Sequence, residues 1–370
     1  MKGVSDMRNR LTTFVLAILL CSMVFATGTP EAAAPATRIV TDHNGNEVEI
    51  PVEINRIVIS SILPLPSVYC LFEGDASKLV GMHPSSMAAA KNSMLTYIMP
   101  DVVNVNTEFA TSDGVNIEEV INLQPDVVFY NASNKAEGEM YKNAGIPAIA
   151  FSTSNWDWNS LDTFNGWVEL LGEVLQQETK VKGIVEYGEN IEKMILERTA
   201  DIPDEERPRV LILHRYDSVD MRAAGKTHFA QYWITTTGGH NVADGIKGAP
   251  AVNMEQVYEW NPDKLFITNF SPVLPIDLYE NSIEGYDWSG IKAVQNGEVY
   301  KFPLGMYRWY PPASDTPLVL LWLSKQIQPE LFADIDMDAE IRTYYKKFYN
   351  IDLTDELLYK IYNPSREAAY

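Results

Sequence analysis

Short apolar runs alternate with helix-length segments along most of this chain. This alternation is typical of α/β proteins, in which mainly parallel sheets are covered by helices on both faces. The apolar runs therefore predict a set of buried strands. They are Ile57–Ile59, Leu79–Val80, Val127–Phe129, Ala148–Phe151, Val210–Leu213, Leu265–Ile267 and Val299–Tyr300.

A hairpin is predicted ahead of these strands. Asn44-Gly45 lies between two short extended segments, residues 38–41 and 47–50. Asn-Gly favours the positive φ angles of a two-residue turn, so the two segments should pair as antiparallel strands.

A long segment without proline, residues 148–202, separates the two groups of strands. Apolar positions at helical spacing predict one helix from Glu178 to Thr199, about 33 Å long at ~1.5 Å per residue. Gly183 and Gly188 weaken that helix by about 1 kcal/mol each. We favour a single helix that joins two lobes, and the alternative is a surface helix inside one large domain.

The N-terminus has the pattern of an export signal. Lys2, Arg8 and Arg10 precede an apolar run from Leu11 to Ala26, which is short for a membrane span of ~20 residues. Cleavage near Ala26 is expected, with an uncleaved anchor or a lipid-anchored start at Cys21 as alternatives. The predicted division is residues 1–26 signal peptide, 27–37 flexible leader, 38–177 N-terminal lobe, 178–200 linker helix, 205–330 C-terminal lobe and 331–370 helical tail.

Composition narrows the possible functions. The chain has 370 residues, 46% of them hydrophobic, which is enough for two domains with substantial cores. Its formal charge of −21 argues against nucleic-acid binding, because phosphate backbones would be repelled. Two cysteines are too few for a disulfide framework or a cysteine-based zinc site.

A fifteen-residue segment occurs twice. Residues 115–129 and 252–266 match at a constant offset of 137, with seven identical positions. Each copy predicts an Asn N-cap, a short helix with Glu in its first turn, a Pro-Asp turn and a buried strand. The repeat indicates two lobes of similar plan, in which Glu118 and Glu255 are equivalent. One such Glu alone would only complement the helix dipole, whereas the matched pair suggests a partner that contacts both lobes.

These motifs resemble the solute-binding proteins of ABC importers, in the group with a helical linker that serves iron–siderophore, cobalamin and related metal-chelate uptake. The resemblance covers roughly Thr37 to Gln328 and includes residues 41–51, residues 56–58, both copies of the repeat and residues 238–243. It implies two Rossmann-like lobes with mainly parallel sheets, joined by one long α-helix, with a ligand cleft between them. It also implies that Glu118 and Glu255 meet arginines of a membrane permease.

The same resemblance supplies the expected partners. It implies a monomeric exported protein in the periplasm or at the outer face of the membrane, which delivers its ligand to a permease with its ATPase. A ferric siderophore is the expected ligand, with a nickel or cobalt chelate, cobalamin or haem as alternatives. No intrinsic cofactor is expected, since the metal, iron first, would be carried within the ligand.

Candidate ligand residues follow from topology, because ligands bind at the carboxyl ends of parallel strands. Aromatic walls bury a bulky organic ligand, and arginine forks hold anionic oxygens in pairs. His83 is also the candidate metal ligand. The predicted ligand-binding residues are His83, Tyr130, Trp156, Trp158, Arg215, Tyr216, Tyr307, Arg308 and Trp309.

A secreted α/β hydrolytic enzyme is the competing class. The sequence has neither a G-x-S-x-G elbow nor a G-x-G-x-x-G loop. Residues 225–227 resemble the end of a phosphate loop, but Asp220 stands where the loop requires glycine. We therefore expect a binding protein without catalytic residues.

Overall fold

The computed structural model describes residues 36–111 and 114–369. The predicted export signal, Cys21 and the cleavage site near Ala26 lie outside the described residues. Within the described part of the chain, no helix is both long enough and apolar enough to cross a membrane. The described residues from Arg38 onward form one compact unit, and the lobes below are parts of that unit.

The N-terminal lobe begins with the predicted hairpin. Gly45 has φ +79°, as the Asn-Gly turn requires, and the two flanking strands pair with each other. The strands are β1 (Thr37–Thr41), β2 (Glu47–Pro51), β3 (Ile57–Ile59), β4 (Leu79–Met82), β5 (Ala110–Thr111), β6 (Gly114–Val115), β7 (Val127–Asn131) and β8 (Ala148–Phe151). After the hairpin, β4-β3-β7-β8 form a four-stranded parallel sheet in that order, and β5 and β6 form a small antiparallel pair.

Both faces of this parallel sheet are buried. Ile57 and Phe129 belong to the main apolar core, whereas Val58 and Val128, one position along, belong to a second cluster on the opposite face. Near-continuous apolar strands are the sequence signature of such a sheet. The helices of this lobe are α1 (Leu65–Phe72), α2 (Pro84–Lys91), α3 (Leu95–Ile98), α4 (Ile117–Asn122), α5 (Lys135–Asn143) and α6 (Ser160–Val174), with a 3₁₀ turn at Pro100–Asn104.

The connecting helix α7 spans Glu178–Thr199, the residues that the apolar pattern predicts. It packs against α6 of the N-terminal lobe and against α12, a helix of the C-terminal lobe that comprises Thr316–Ile327. Gly188 faces this contact, and a Cβ there would lie 2.7 Å from Leu161 Cδ1. The glycine that weakens the helix on its own thus allows the close approach of α6.

The C-terminal lobe repeats the parallel plan with one addition. Its elements are β9 (Arg209–Tyr216), β10 (Met221–Ala223), α8 (Phe229–Thr236), β11 (His240–Asn241), α9 (Met254–Trp260), β12 (Lys264–Ile267), α10 (Pro275–Tyr279), α11 (Lys292–Gln295) and β13 (Val299–Lys301), with a 3₁₀ turn at Asp204–Glu206. Strands β9, β12 and β13 are parallel neighbours, and β11 also pairs in parallel with β9. The addition is an antiparallel edge strand, β10, which the sequence pattern did not indicate.

The predicted helical tail follows α12. It consists of α13 (Met337–Tyr349), α14 (Asp355–Tyr362) and a 3₁₀ turn at Arg366–Ala369. The main apolar core runs without interruption from the N-terminal sheet through α6, α7 and α12 into this tail. The fold prediction, two α/β lobes with mainly parallel sheets, is confirmed, and the lobes share a continuous apolar support along their linker side.

Candidate functional site

The carboxyl ends of the two parallel sheets meet at a junction between the lobes. Ala89, in the helix after β4, packs in one apolar cluster with Tyr307, in the loop after β13. Close by in sequence, Met94 N–H donates to the Gly305 carbonyl oxygen over 2.8 Å. This edge is where an open parallel sheet binds ligands, so the junction is the candidate site.

An aromatic contact closes part of the junction. The indole of Trp158, in the loop after β8, stacks on the imidazole of His228 with ring centroids 5.8 Å apart, and its edge meets Phe229 at 5.3 Å. Trp158 and the preceding Asp157 both have positive φ angles, 66° and 49°. Two successive non-glycine residues in the left-handed region store strain, which is commonly found at functional sites.

Two histidines of the C-terminal lobe lie side by side in this junction. The rings of His214 and His228 are 4.9 Å apart, and both lie against Tyr310, whose hydroxyl is hydrogen-bonded to His228 Nδ1. Burial lowers the pKa of His228 to about 3. Burial, together with the positive charge of Arg222, lowers the pKa of His214 to about 4. Both imidazoles are therefore neutral at pH 7, and His214 Nδ1 is buried without a hydrogen-bond partner among the described residues.

Arg308 is buried at the same junction. Its guanidinium donates to the carbonyl oxygens of Asn269 and Ala368 and to the Tyr307 hydroxyl, each over 3.1 Å. It also lies over the ring of Phe270, 4.8 Å from the centroid. All of these partners are neutral, and Arg308 forms none of the ion pairs found within residues 36–111 and 114–369.

A second, partly buried basic side chain lies near Arg308. The ammonium group of Lys301, at the end of β13, donates to three backbone carbonyls of the loop after β12. Burial first, and then the positive charges of Arg366 and Arg308, lower the pKa of Lys301 to about 7, against the opposing effect of Asp277. The region behind the junction is therefore electropositive in a strongly acidic protein.

Arg215 and Arg222 lie at an exposed rim. They are directly opposite each other on β9 and β10, and each pairs with a carboxylate two residues away. Arg215 Nε is 3.4 Å from Asp217, and Arg222 Nε is 2.5 Å from Asp220. Arg215 is thus exposed near the junction, but its guanidinium already forms an ion pair with Asp217.

Two of the predicted ligand residues belong to the core instead. Trp309 is fully buried, and its Nε1 donates to Asp315 Oδ2, which also accepts from Met306 N–H. Tyr216 is fully buried, and its hydroxyl accepts from Trp288 Nε1. Burial raises the pKa of Asp315 to about 6. Trp309 and Asp315 hold the loop after β13 from its inner side.

Two further candidates make their ring contacts within the N-terminal lobe. Trp156 packs over Gly166 and edge-on against His43, with ring centroids 5.1 Å apart. Tyr130 lies over Gly138, where a Cβ would come within 2.4 Å of the phenol oxygen. Of the tryptophan pair, Trp158 therefore reaches the other lobe, and Tyr130 faces a surface groove beside the hairpin rather than the junction.

His83 begins helix α2 after strand β4. Its Nδ1 accepts from Ser85 N–H over 3.1 Å, so one ring nitrogen is used as a helix cap. In the described part of the chain, no group of three or more His, Cys, Asp or Glu side chains is arranged to hold a metal ion. As a metal ligand, His83 would need the other donors to come from the ligand itself.

The repeated glutamates have matching surroundings. Glu118 lies in the first turn of α4, which Asn116 caps, and Glu255 lies in the first turn of α9, which Asn253 caps. Both glutamates are exposed. A helix that leads into a parallel strand runs back along the sheet, so its N-terminus lies at the carboxyl edge. Topology therefore puts both glutamates on the side of their lobes that carries the junction.

The chain is similar to known periplasmic binding proteins in sequence and in fold. A model of the family described as periplasmic binding protein matches residues 67–304. This chain belongs to that family. A periplasmic solute-binding protein of Veillonella parvula is 34% identical, with a TM-score of 0.80 over 89% of this chain and 97% of its own.

The molybdate-binding protein MolA of Haemophilus influenzae is also related. It is 27% identical over 92% of this chain and 97% of its own length. The structure of MolA bound to molybdate has the same fold, with a TM-score of 0.73 over 86% of this chain and 99% of its own. The chain is an ABC-importer solute-binding protein, and its relatives are binding proteins rather than enzymes.

Several junction residues were not among the predicted ligand residues. His228 and Tyr310 come together from segments 82 residues apart. Phe270 and Asn269 contact Arg308 from the loop after β12. The loop position of Phe270 and Asn269 after a predicted strand was a usable signal. No local pattern marked His228, because it precedes a helix rather than following a strand.

Proposed function

We propose that this protein captures a small oxyanion of the molybdate class at the junction between its lobes and presents it to an ABC permease. The observation that supports the proposal most directly is the buried Arg308 guanidinium. It has neutral hydrogen-bond partners and no carboxylate partner within the described residues.

A buried charge without a counter-ion costs several kcal/mol. An anion bound beside Arg308 would offset that cost and would use guanidinium N–H groups that the three protein acceptors leave free. Lys301, whose pKa burial and nearby cations lower to about 7, adds a partial positive charge near Arg308. The site thus favours an oxygen-rich anion over a neutral solute or a bare cation.

Ring contacts across the junction favour a small ligand. Trp158 and His228 already stack on each other, and Tyr307 packs against Ala89 of the opposite lobe. A tetrahedral oxyanion needs little separation of these groups. The sequence relationship to MolA, a molybdate-binding protein, agrees with this chemistry.

A metal chelate is the second candidate, with a ferric siderophore ahead of a nickel or cobalt chelate, cobalamin or haem. The aromatic side chains of both lobes favour it, since Trp158, Phe270 and Tyr307 would contact an organic ligand. Such a ligand carries its own metal, and the protein then needs no cofactor of its own. It would also require the Trp158–His228 contact to open.

The bound ligand is then delivered to the permease. The exported protein docks through Glu118 and Glu255 onto basic residues of the permease, and the ATPase drives uptake. Both glutamates are exposed and equivalent by the internal repeat. The long helix α7 and the shared core limit lobe movement, so the change on binding should be small.

Calorimetry with a ligand panel tests the choice of solute. The panel contains molybdate, tungstate, sulfate, a ferric catecholate siderophore, nickel–histidine and haem. We expect molybdate or tungstate to bind tightly, and Arg308→Gln to abolish binding while Arg342→Gln, at an ion pair in the tail, does not. Binding of the siderophore alone would favour the second candidate. Binding that survives Arg308→Gln would place the site elsewhere.

A further inference from the structure

The last described residues of the chain lie against Arg308. The Ala368 carbonyl oxygen accepts from Arg308 Nη2 over 3.1 Å, and Ala368 itself is buried. Ala368 belongs to the 3₁₀ turn at Arg366–Ala369, 60 residues away in sequence. One of the three hydrogen bonds that orient the guanidinium therefore comes from the C-terminal turn.

A forked ion pair fixes this turn to the C-terminal lobe. Arg366 Nη1 and Nη2 contact the two carboxylate oxygens of Asp277 at 2.6 and 3.0 Å, and Nη1 also donates to the Pro272 carbonyl oxygen. Asp277 is largely buried and accepts from Leu274 N–H at the start of α10. A bidentate pair on such an anchored carboxylate restricts the turn more than a single exposed contact would.

The same segment reaches the other lobe. The turn Arg366–Ala369 packs against helix α2 of the N-terminal lobe. Just before it, the Ile361 carbonyl oxygen accepts from Leu304 N–H over 2.8 Å, at the start of the loop that holds Arg308. The C-terminal segment thus contacts the N-terminal lobe, the loop after β13 and the guanidinium itself.

We propose that residues 364–369 form a positioning element of the anion site, which orients Arg308 through the Ala368 carbonyl and is held in place by Arg366 on Asp277. The proposal rests on the proposed function, because it assigns Arg308 to the ligand. Arg366 and Ala368 act through Arg308 and do not themselves contact the ligand.

Two variants remove this support in different ways. Arg366→Gln releases the turn, and a chain that ends at Pro364 removes the Ala368 acceptor altogether. Loss of one buried hydrogen bond to a charged group predicts about 10-fold weaker molybdate binding in each variant. Arg366→Lys keeps the charge and should recover part of the affinity.

Arg342→Gln is the matched control. Arg342 also lies in the tail and also binds one carboxylate, Asp355, and one backbone carbonyl, that of Leu353. It makes no contact with Arg308, so this variant should bind molybdate like the unaltered protein. A similar loss in both variants would indicate general destabilisation of the tail and would overturn the proposal.

A second measurement does not depend on the ligand. Hydrogen exchange of residues 304–310 should be faster in Arg366→Gln and in the shortened chain than in Arg342→Gln. Unchanged exchange, or unchanged molybdate affinity where Arg308→Gln abolishes binding, would overturn the positioning role and leave the proposed function intact. If the unaltered protein binds no molybdate, the proposed function fails, and the exchange rates still decide whether this segment orders the loop.

Discussion

Arg56 and Arg209 make the same contact in the two lobes. Arg56 Nη2 donates to the Leu123 carbonyl oxygen over 2.6 Å, and Arg209 Nη2 donates to the Trp260 carbonyl oxygen over 2.7 Å. Each acceptor lies at the end of the short helix that carries the repeated glutamate. The internal repeat therefore includes the hydrogen bond that joins the end of this helix to the arginine at the start of the neighbouring strand.

The aspartates of the two Pro-Asp turns bind the backbone of the same arginines, and their contribution to stability can be measured. Asp126 Oδ2 accepts from Arg56 N–H over 2.8 Å, and Asp263 Oδ2 accepts from Arg209 N–H over the same distance. Asp126→Ala and Asp263→Ala should each lower the free energy of unfolding by about 1–2 kcal/mol, since each removes the carboxylate that accepts from a backbone N–H just before, or at, the start of a strand. Urea denaturation measures this, with Asp201→Ala, an exposed position, as control. An equal change in unfolding free energy for all three variants would contradict a stabilising role of Asp126 and Asp263.

Two glycines of helix α7 should respond in opposite directions to alanine. Gly188→Ala should destabilise the protein, because its Cβ would lie 2.7 Å from Leu161 Cδ1 in the contact with α6. Gly183→Ala should stabilise it by about 0.5–1 kcal/mol, because that position is exposed with open space around it. Thermal or urea unfolding compares the two. Stabilisation by both changes would mean that α7 does not pack closely on α6.

The two junction histidines should make stability depend on pH. Their folded pKa values, about 4 for His214 and about 3 for His228, lie below the ordinary value of 6.5. Between these values the unfolded chain binds protons that the folded protein does not bind. The contribution of these two histidines to the free energy of unfolding is therefore complete above pH 6.5 and is lost as the pH falls toward 4.

His228→Phe tests this effect. It should reduce the slope of unfolding free energy against pH by up to about 1.4 kcal/mol per pH unit between pH 4.5 and 6, the value for one proton. His240→Gln, at an exposed position, should leave the slope unchanged. Urea denaturation across this range provides the measurement, and equal slopes for His228→Phe and the unaltered protein would refute a neutral buried His228.

Trp158 and Trp156 should have separable roles. Trp158→Ala removes the contact with His228 across the junction and should weaken ligand binding by about 10-fold, with a smaller effect on stability. Trp156→Ala removes a ring packed on Gly166 within one lobe and should lower stability by about 3 kcal/mol, with little change in affinity. Calorimetry and unfolding of both variants check the distinction. The reverse pattern would move the site toward Trp156.

Charge reversal should separate docking from ligand binding. Glu118→Lys combined with Glu255→Lys should abolish permease-dependent uptake while ligand affinity stays unchanged, because both side chains are exposed. Uptake into proteoliposomes that contain the permease and its ATPase measures this. The matched control is Glu186→Lys with Glu197→Lys, at exposed positions of α7. Normal uptake by the first pair would rule out these glutamates as the docking contact.

The sequence predicted regular elements well where local signals are strong. The hairpin turn at Gly45, the helix from Glu178 to Thr199 and the paired Asn caps lie where the pattern indicates. The edge strand Met221–Ala223 was not anticipated. Its three residues provide too short a pattern, and pairing with β9 stabilises it.

The candidate site was predictable only in part, for a physical reason. Strand ends can be located from apolar runs, so the loops that hold Trp158 and Arg308 could be identified, whereas Arg215, expected just after a strand, lies within the last residues of β9. The direction of a side chain depends on what packs around it. Contacts with different neighbours therefore separated Trp158 from Trp156, and burial placed Trp309 in the core.

Local chemistry along the chain determines its alternating elements, its duplicated lobes and its acidic character, since each depends on neighbouring residues or on composition. Only the tertiary structure decides that Arg308 is buried without a carboxylate partner among the described residues. It alone also brings the Ala368 carbonyl oxygen, near the end of the chain, into contact with Arg308. Charge burial and such long-range contacts depend on the complete packing of both lobes. No segment of sequence encodes them alone.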